Sequence, residues 1–226
     1  RRNPYSGKAN REGKMPKSKN RKRKSKSSPS GTGGKVKWSG GRQSGKSYTH
    51  WYVIAFVAAV ILGGGGYIWQ SVQADQAFQA LAEEGKPLLT GIETPPNLGR
   101  DHLNGGQGYN YRDDFPTSGP HAPFWSNPGF YPDPQPQIQL VHAMEHGHVV
   151  IYYDKPAPEN LATIKDWAAI YGGNWSGVLA VPRRGLNNQI VLTAWRKRLK
   201  LDAFDTKIAA AFIDAYRGRG PERQVR

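Results

Sequence analysis

Nineteen consecutive residues, Trp51 to Trp69 (WYVIAFVAAVILGGGGYIW), carry no charge. As a helix this run would extend about 28 Å at 1.5 Å per residue, close to the hydrocarbon thickness of a bilayer. Trp51 and Tyr52 stand at one end and Tyr67 and Trp69 at the other, where interfacial aromatic belts would lie. Residues 1–50 have the opposite character, with 16 Lys/Arg against a single acidic residue, Glu12. They account for the whole net charge of +15, and the remaining 176 residues are balanced. An excess of Lys/Arg on the N-terminal side only predicts a single-pass cell-membrane anchor with its N-terminus in the cytoplasm and residues 70–226 exported. Two other readings are weaker. A buried core helix fits poorly beside so cationic a tail. A cleaved signal sequence, with Val72-Gln73-Ala74 as the cleavage site, would need an unusually long leading region.

The tail has almost nothing apolar to bury and is expected to be disordered. Its partner is expected to be anionic lipid at the membrane surface, at about 1 kcal/mol per basic residue near that surface. Nucleic acid is the less favoured partner, because the basic excess is confined to the tail and no basic folded face is required. Gly63–Gly66 would let another backbone approach the span closely, which points to a membrane-protein partner. The absence of cysteine excludes disulfides, thiolate metal sites and Cys nucleophiles.

Beyond the span, residues 71–84 read as an amphipathic helix, a stalk that stops at Gly85. Residues 95–136 are dense in Pro, Gly, Asn and Asp and studded with aromatics. A loop this long is functional or tied down by its own side chains. Strands are expected at Ile138–Ala143, His148–Asp154, Gly177–Val181 and Ile190–Trp195. Helices are expected at Pro158–Tyr171 and at Thr206–Tyr216, the latter capped by Asp205. The organisation is thus a basic tail (1–50), a transmembrane helix (51–69), a stalk and linker (70–94) and an exported α+β domain (95–222). That domain is expected to have a mainly antiparallel sheet with helices on one side.

Chemistry concentrates in one place. His102, His121, His142, His146 and His148 fall within 47 residues, together with Met144 and Glu145. Imidazole, thioether and carboxylate groups are transition-metal ligands. In an extended strand, His142, Met144, His146 and His148 would share a face. In a helical turn, His142 and His146 would still be neighbours. His121 follows Ser118-Gly119-Pro120, a rigid turn that can aim it. The competing reading makes these rings buried hydrogen-bond donors that pin the Pro-rich loop to the sheet. His142-Ala-Met-Glu145-His146 also fits the inverted zinc-peptidase pattern H-x-x-E-H, which needs a helix. The β-rich flanks and Gly147 argue against that context. Gly40 to Ser47 matches a phosphate-binding loop in letters only, since no strand or helix of an α/β domain surrounds it.

Four segments resemble a bacterial family catalogued as domain of unknown function 3105: Phe115-Pro-Thr-Ser-Gly-Pro-His121, Val141-His142-Ala-Met-Glu145-His146-Gly147, Leu192-Thr-Ala-Trp195, and Phe212 through Gly-Arg-Gly-Pro-Glu222. The resemblance covers roughly 100–222. His121, His142, Glu145 and His146 fall on the family pattern. Phe115 stands where the family has Pro, and Met144 where it usually has Leu, which weakens Met144 as a ligand. The resemblance implies one N-terminal membrane span and an exported domain, and it supplies no activity.

The expected function is binding or handover of copper or zinc, copper slightly preferred, through His121, His142 and His146, with His148, His102 and Glu145 as further candidates. No nucleophile–base pair or catalytic carboxylate pair is apparent, so an enzyme is the less favoured reading. The alternative is an accessory subunit of a membrane complex, with the histidines purely structural. A reporter that works only outside the cytoplasm, fused after Arg226, is expected to be active. Activity of a cytoplasm-only reporter there would reverse the orientation.

Overall fold

The structure, a computed structural model, describes residues 49–226. The basic tail and the Gly40–Ser47 motif lie outside the described residues. The uncharged run forms the first part of one continuous helix, α1 (Thr49–Gly85). At 1.5 Å per residue its 37 residues extend about 55 Å. It is long and apolar enough to cross a membrane, and none of its apolar window is buried. The helix does not break at residue 70. Its last turns enter the domain core, with Phe78 and Ala82 buried. Phe78 packs edge-on against Trp167 and Tyr171, at ring-centroid distances of 5.3 and 4.8 Å. The Tyr171 hydroxyl donates to Asp75 at 2.7 Å.

The domain is α+β, as expected, but its sheet is mixed. Strands β1 (Gly129–Phe130), β2 (Val149–Tyr153), β3 (Val178–Pro182), β4 (Ile190–Ala194) and β5 (Lys197–Leu201) stand in the order β1-β3-β2-β4-β5. The β1–β3 and β2–β3 pairs are parallel; the β2–β4 and β4–β5 pairs are antiparallel. The parallel core follows from helix α3 (Pro158–Ile170), which crosses between β2 and β3. Strands β1 and β5 were not expected. β1 is only two residues long, and Lys197-Arg-Leu-Lys-Leu201 presents charge along an edge, which hides its strand pattern.

Helices cover both faces rather than one. Val149, Ile151 and Tyr153 of β2 point into one core with the end of α1, α3 and α4 (Thr206–Tyr216). Val150 and Tyr152 point into a second core beneath α2 (Gln137–Glu145) and the Pro-rich segment. All five residues of β2 and of β4 are buried, as two-sided covering requires. Helix α4 begins where expected, with the Asp205 side chain accepting from the Lys207 and Ile208 amides at 2.9 and 3.0 Å.

The strand expected over 138–143 is helix α2. Leu140, Val141 and Met144 lie on its buried side against Tyr152 and Leu179. Gln, Leu, Ala, Met and Glu are good helix formers. Gly147, at φ +90°, reverses the chain just past the helix end. The apparent alternation from Leu140 to His148 mixes a helical turn with the start of β2.

The burial of Phe78 makes the end of α1 a structural part of the domain. Phe78→Ala is expected to destabilise the fold by about 3–5 kcal/mol. The check is the denaturation midpoint of the full chain in detergent, followed by tryptophan fluorescence. A helix that only tethers the domain would leave that midpoint unchanged.

Candidate metal centre

Helix α2 carries His142 and Glu145 in its last turn, and His146 caps it. The spacing of four places the two rings together, with Nε2 atoms 3.0 Å apart. The second layer comes from the Pro-rich segment. Residues 101–103 pair with His121 through Leu103 N–H to His121 O (2.7 Å) and His121 N–H to Asp101 O (3.0 Å). This short bridge sets His102 beside His121, and the parallel rings of His102 and His142 stack 4.9 Å apart. The Pro-rich segment is also tied to α2 by Ala122 N–H donating to Ile138 O at 3.1 Å.

The third layer is the C-terminal strap after α4. Gly218 N–H donates to Gly147 O at 2.8 Å, and Glu222 N–H to Glu145 O at 3.4 Å. Two glycines make this approach possible. A Cβ on Gly220 would lie 2.1 Å from Glu145 O, and one on Gly147 would lie 2.9 Å from Gly220 N. The strap brings the Glu222 carboxylate to 2.9 Å from His146 Nε2.

Among the described residues two overlapping sets of ligand atoms result, each mutually within 4.8 Å: His102, His121, His142 and Glu145; and His142, His146 and Glu222. A buried His/Glu cluster that could hold a metal ion is therefore present. His121 and His146 do not belong to a common set, so the three-histidine convergence expected from sequence is replaced by two sets meeting at His142. Glu222 was missed. Its sequence signal was slight, a carboxylate in the Gly218-Arg-Gly-Pro-Glu222 segment, far along the chain from the histidines.

Two of the candidates have other places. His148 is buried outside both sets, and its Nδ1 accepts the Gly177 N–H at 2.8 Å. Its Nε2 then carries the hydrogen and has no lone pair for a metal. Burial, followed by the neighbouring His146 and His142, holds its pKa down at about 3, so the ring is neutral. Met144 is buried in the second core.

The ring orientations are fixed by their surroundings. His121 Nδ1 faces Gly119 O at 2.7 Å, and His142 Nδ1 faces Ala122 O at 2.6 Å. A carbonyl only accepts, so both Nδ1 atoms carry hydrogen, and in its neutral form each ring turns an Nε2 lone pair into the cluster. Against His121 Nε2 stands Glu145 Oε2 at 3.0 Å, with His102 Nε2 3.5 Å from the same oxygen. Burial, then the neighbouring histidines, lowers the His142 pKa, although the bond to Ala122 opposes this. Burial also lowers that of His146, against the pull of Glu222. Aromatic walls enclose the cluster: Trp175 stacks on His146 at 4.3 Å, and Trp125 lies 4.1 Å from the same ring.

The H-x-x-E-H motif thus lies on a helix after all, contrary to the β-rich context expected for it. Glu145 is engaged by His121, however, and the cluster is closed, with only His102 and Glu222 reaching solvent. A 720 Å³ surface cavity nearby is lined by residues such as Tyr109, Asp113, Phe115 and Lys200, and by none of the cluster. The arrangement suits holding an ion better than admitting a peptide.

Gly220→Ala is expected to push the strap off α2, part Glu222 from His146 and cost about 1–3 kcal/mol. Gly172→Ala, where a Cβ meets nothing within 4 Å, is the control and should change little. Equal thermal midpoints for the two variants would remove the close-approach argument.

No curated protein and no solved structure matches the chain. A family model described as "Protein of unknown function (DUF3105)" matches residues 102–226, which include every member of both ligand sets, and the chain belongs to that family.

Proposed function

We propose that this protein is a membrane-anchored, extracytoplasmic metal-binding protein, whose histidine–carboxylate cluster binds zinc or copper(II) for storage or handover. The observation that carries this reading is the pair of acceptors that face the two ring nitrogens of His121. Both of its ring nitrogens face acceptors, Gly119 O at 2.7 Å and Glu145 Oε2 at 3.0 Å, and the ring is fully buried. A neutral imidazole has one N–H and can serve only one of them. The second contact needs another proton or a cation. The same shortage recurs where His142 Nε2, His146 Nε2 and the Glu222 carboxylate meet, at 3.0 and 2.9 Å. Ligands on neighbouring corners of an ion at roughly 2.0–2.1 Å stand about 3 Å apart, so such spacings suit metal coordination.

The ligand atoms are nitrogen and oxygen, a set that suits both Zn(II) and Cu(II). With Met144 in the apolar core, the thioether argument for copper falls away, and copper retains only its higher place in the divalent affinity order. Extracytoplasmic placement is supported by the excess of cationic residues on the N-terminal side of the apolar run.

The full chain, purified in detergent without chelator, is expected to hold at least one zinc or copper ion, counted by elemental mass spectrometry. His142 belongs to both ligand sets, so His142→Ala should weaken affinity by at least about 10–100-fold, the loss typical of removing even an outer-shell partner. Protein that stays metal-free in excess zinc and copper, with a melting temperature indifferent to chelator, would overturn the proposal. The histidines would then be structural donors, and the accessory-subunit reading would take its place.

A further inference from the structure

The cluster has more ligands than one ion can use. Six side chains contribute: His102, His121, His142, His146, Glu145 and Glu222. Their ligand atoms form two sets rather than one, and the His146–Glu222 pair does not join the set of His102, His121 and Glu145 within 4.8 Å. Ligands on a single ion lie at most about 4.2 Å apart, twice a bond of roughly 2.1 Å. In this arrangement one ion reaches one set only.

His142, the shared member, cannot serve both. Its Nδ1 is committed to Ala122 O at 2.6 Å, which leaves a single lone pair on Nε2. That lone pair faces His146 Nε2 at 3.0 Å. Assigning His142 to the side it faces divides the cluster into equal halves. One is His102, His121 and Glu145, with both rings within 3.5 Å of Glu145 Oε2. The other is His142, His146 and Glu222, linked at 3.0 and 2.9 Å. Each half has two imidazoles and one carboxylate, and each leaves positions open for water or an incoming ligand. Each also reaches solvent through one member. The His102 side chain is 51% exposed and that of Glu222 is 43% exposed. The halves adjoin through the parallel stacking of His102 on His142.

We infer that the cluster is a two-ion centre, binding two divalent transition-metal ions side by side, one in each half. This rests on the metal-binding reading above and adds the number of ions and the assignment of ligands. The carboxylates make the count electrostatically reasonable, since each ion has its own anionic ligand in place of a purely neutral shell. In protein sites of this kind two ions stand about 3.5–4 Å apart.

The test is a count. The full chain in detergent is stripped with chelator, dialysed against zinc, and its zinc-to-protein ratio measured. A ratio of two is expected. Glu222→Gln and His102→Ala should each lower it to one, with unchanged circular dichroism, because each removes a solvent-reaching ligand from a different half. Loaded with Cu(II), the wild-type chain should show the paramagnetic-resonance signature of a coupled pair, and either variant that of an isolated ion. A wild-type ratio of one would overturn the two-ion inference and leave the metal-binding reading intact; a ratio of zero would overturn both. A Glu222→Gln protein that still holds two ions would overturn the assignment of Glu222. A folded variant that loses both would show that the halves are not separate sites.

Discussion

Strand β2 has no exposed residue, and the rest of the domain follows from that constraint. Val149, Ile151 and Tyr153 need cover on one side, and Val150 and Tyr152 on the other. A strand with two apolar faces is stable only between layers. The first layer is α3, α4 and the end of α1; the second is α2 with the Pro-rich segment. The second layer places the site. Helix α2 must turn its apolar side to the sheet, so His142, Glu145 and His146 emerge where the Pro-rich segment and the C-terminal strap close over its end.

Closure gives the cluster its chemistry. Water has little access to His121, His142, Glu145 and His146, so their polar atoms need partners inside the cluster. Backbone carbonyls at Gly119 and Ala122 orient two rings, and burial depresses the His142 and His146 pKa values, so both rings favour the neutral form that ligates. His148 shows the contrast. It is equally buried, yet its acceptor nitrogen is already taken by the Gly177 amide, and it stands apart from both ligand sets.

The apolar run and the turns packed in this domain belong to one helix, α1. The aromatic packing of Phe78 on Trp167 and Tyr171 and the Asp75–Tyr171 bond clamp its last turns.

Much of this was legible along the chain because it depends on neighbours in sequence. The apolar run, the helices over 158–170 and 206–216, the Asp205 cap and the strands over 149–153 and 190–194 follow from local periodicity and capping. So does the closeness of His142 and His146, since a spacing of four means adjacency on a helical turn. Helix α2 was misread because nine residues ending at a glycine can mimic alternation when a buried strand follows directly. The parallel pairing of β2 and β3, the cover on both faces and the two ligand sets were decided by tertiary structure alone. Glu222 reaches His146 only because Gly220 and Gly147 let two distant backbones touch, and His102 reaches His121 only through a bridge nineteen residues long in sequence. Local sequence sets which groups are present and how each segment turns. Which lone pairs face one another depends on contacts between distant segments, and these form only as the two cores close.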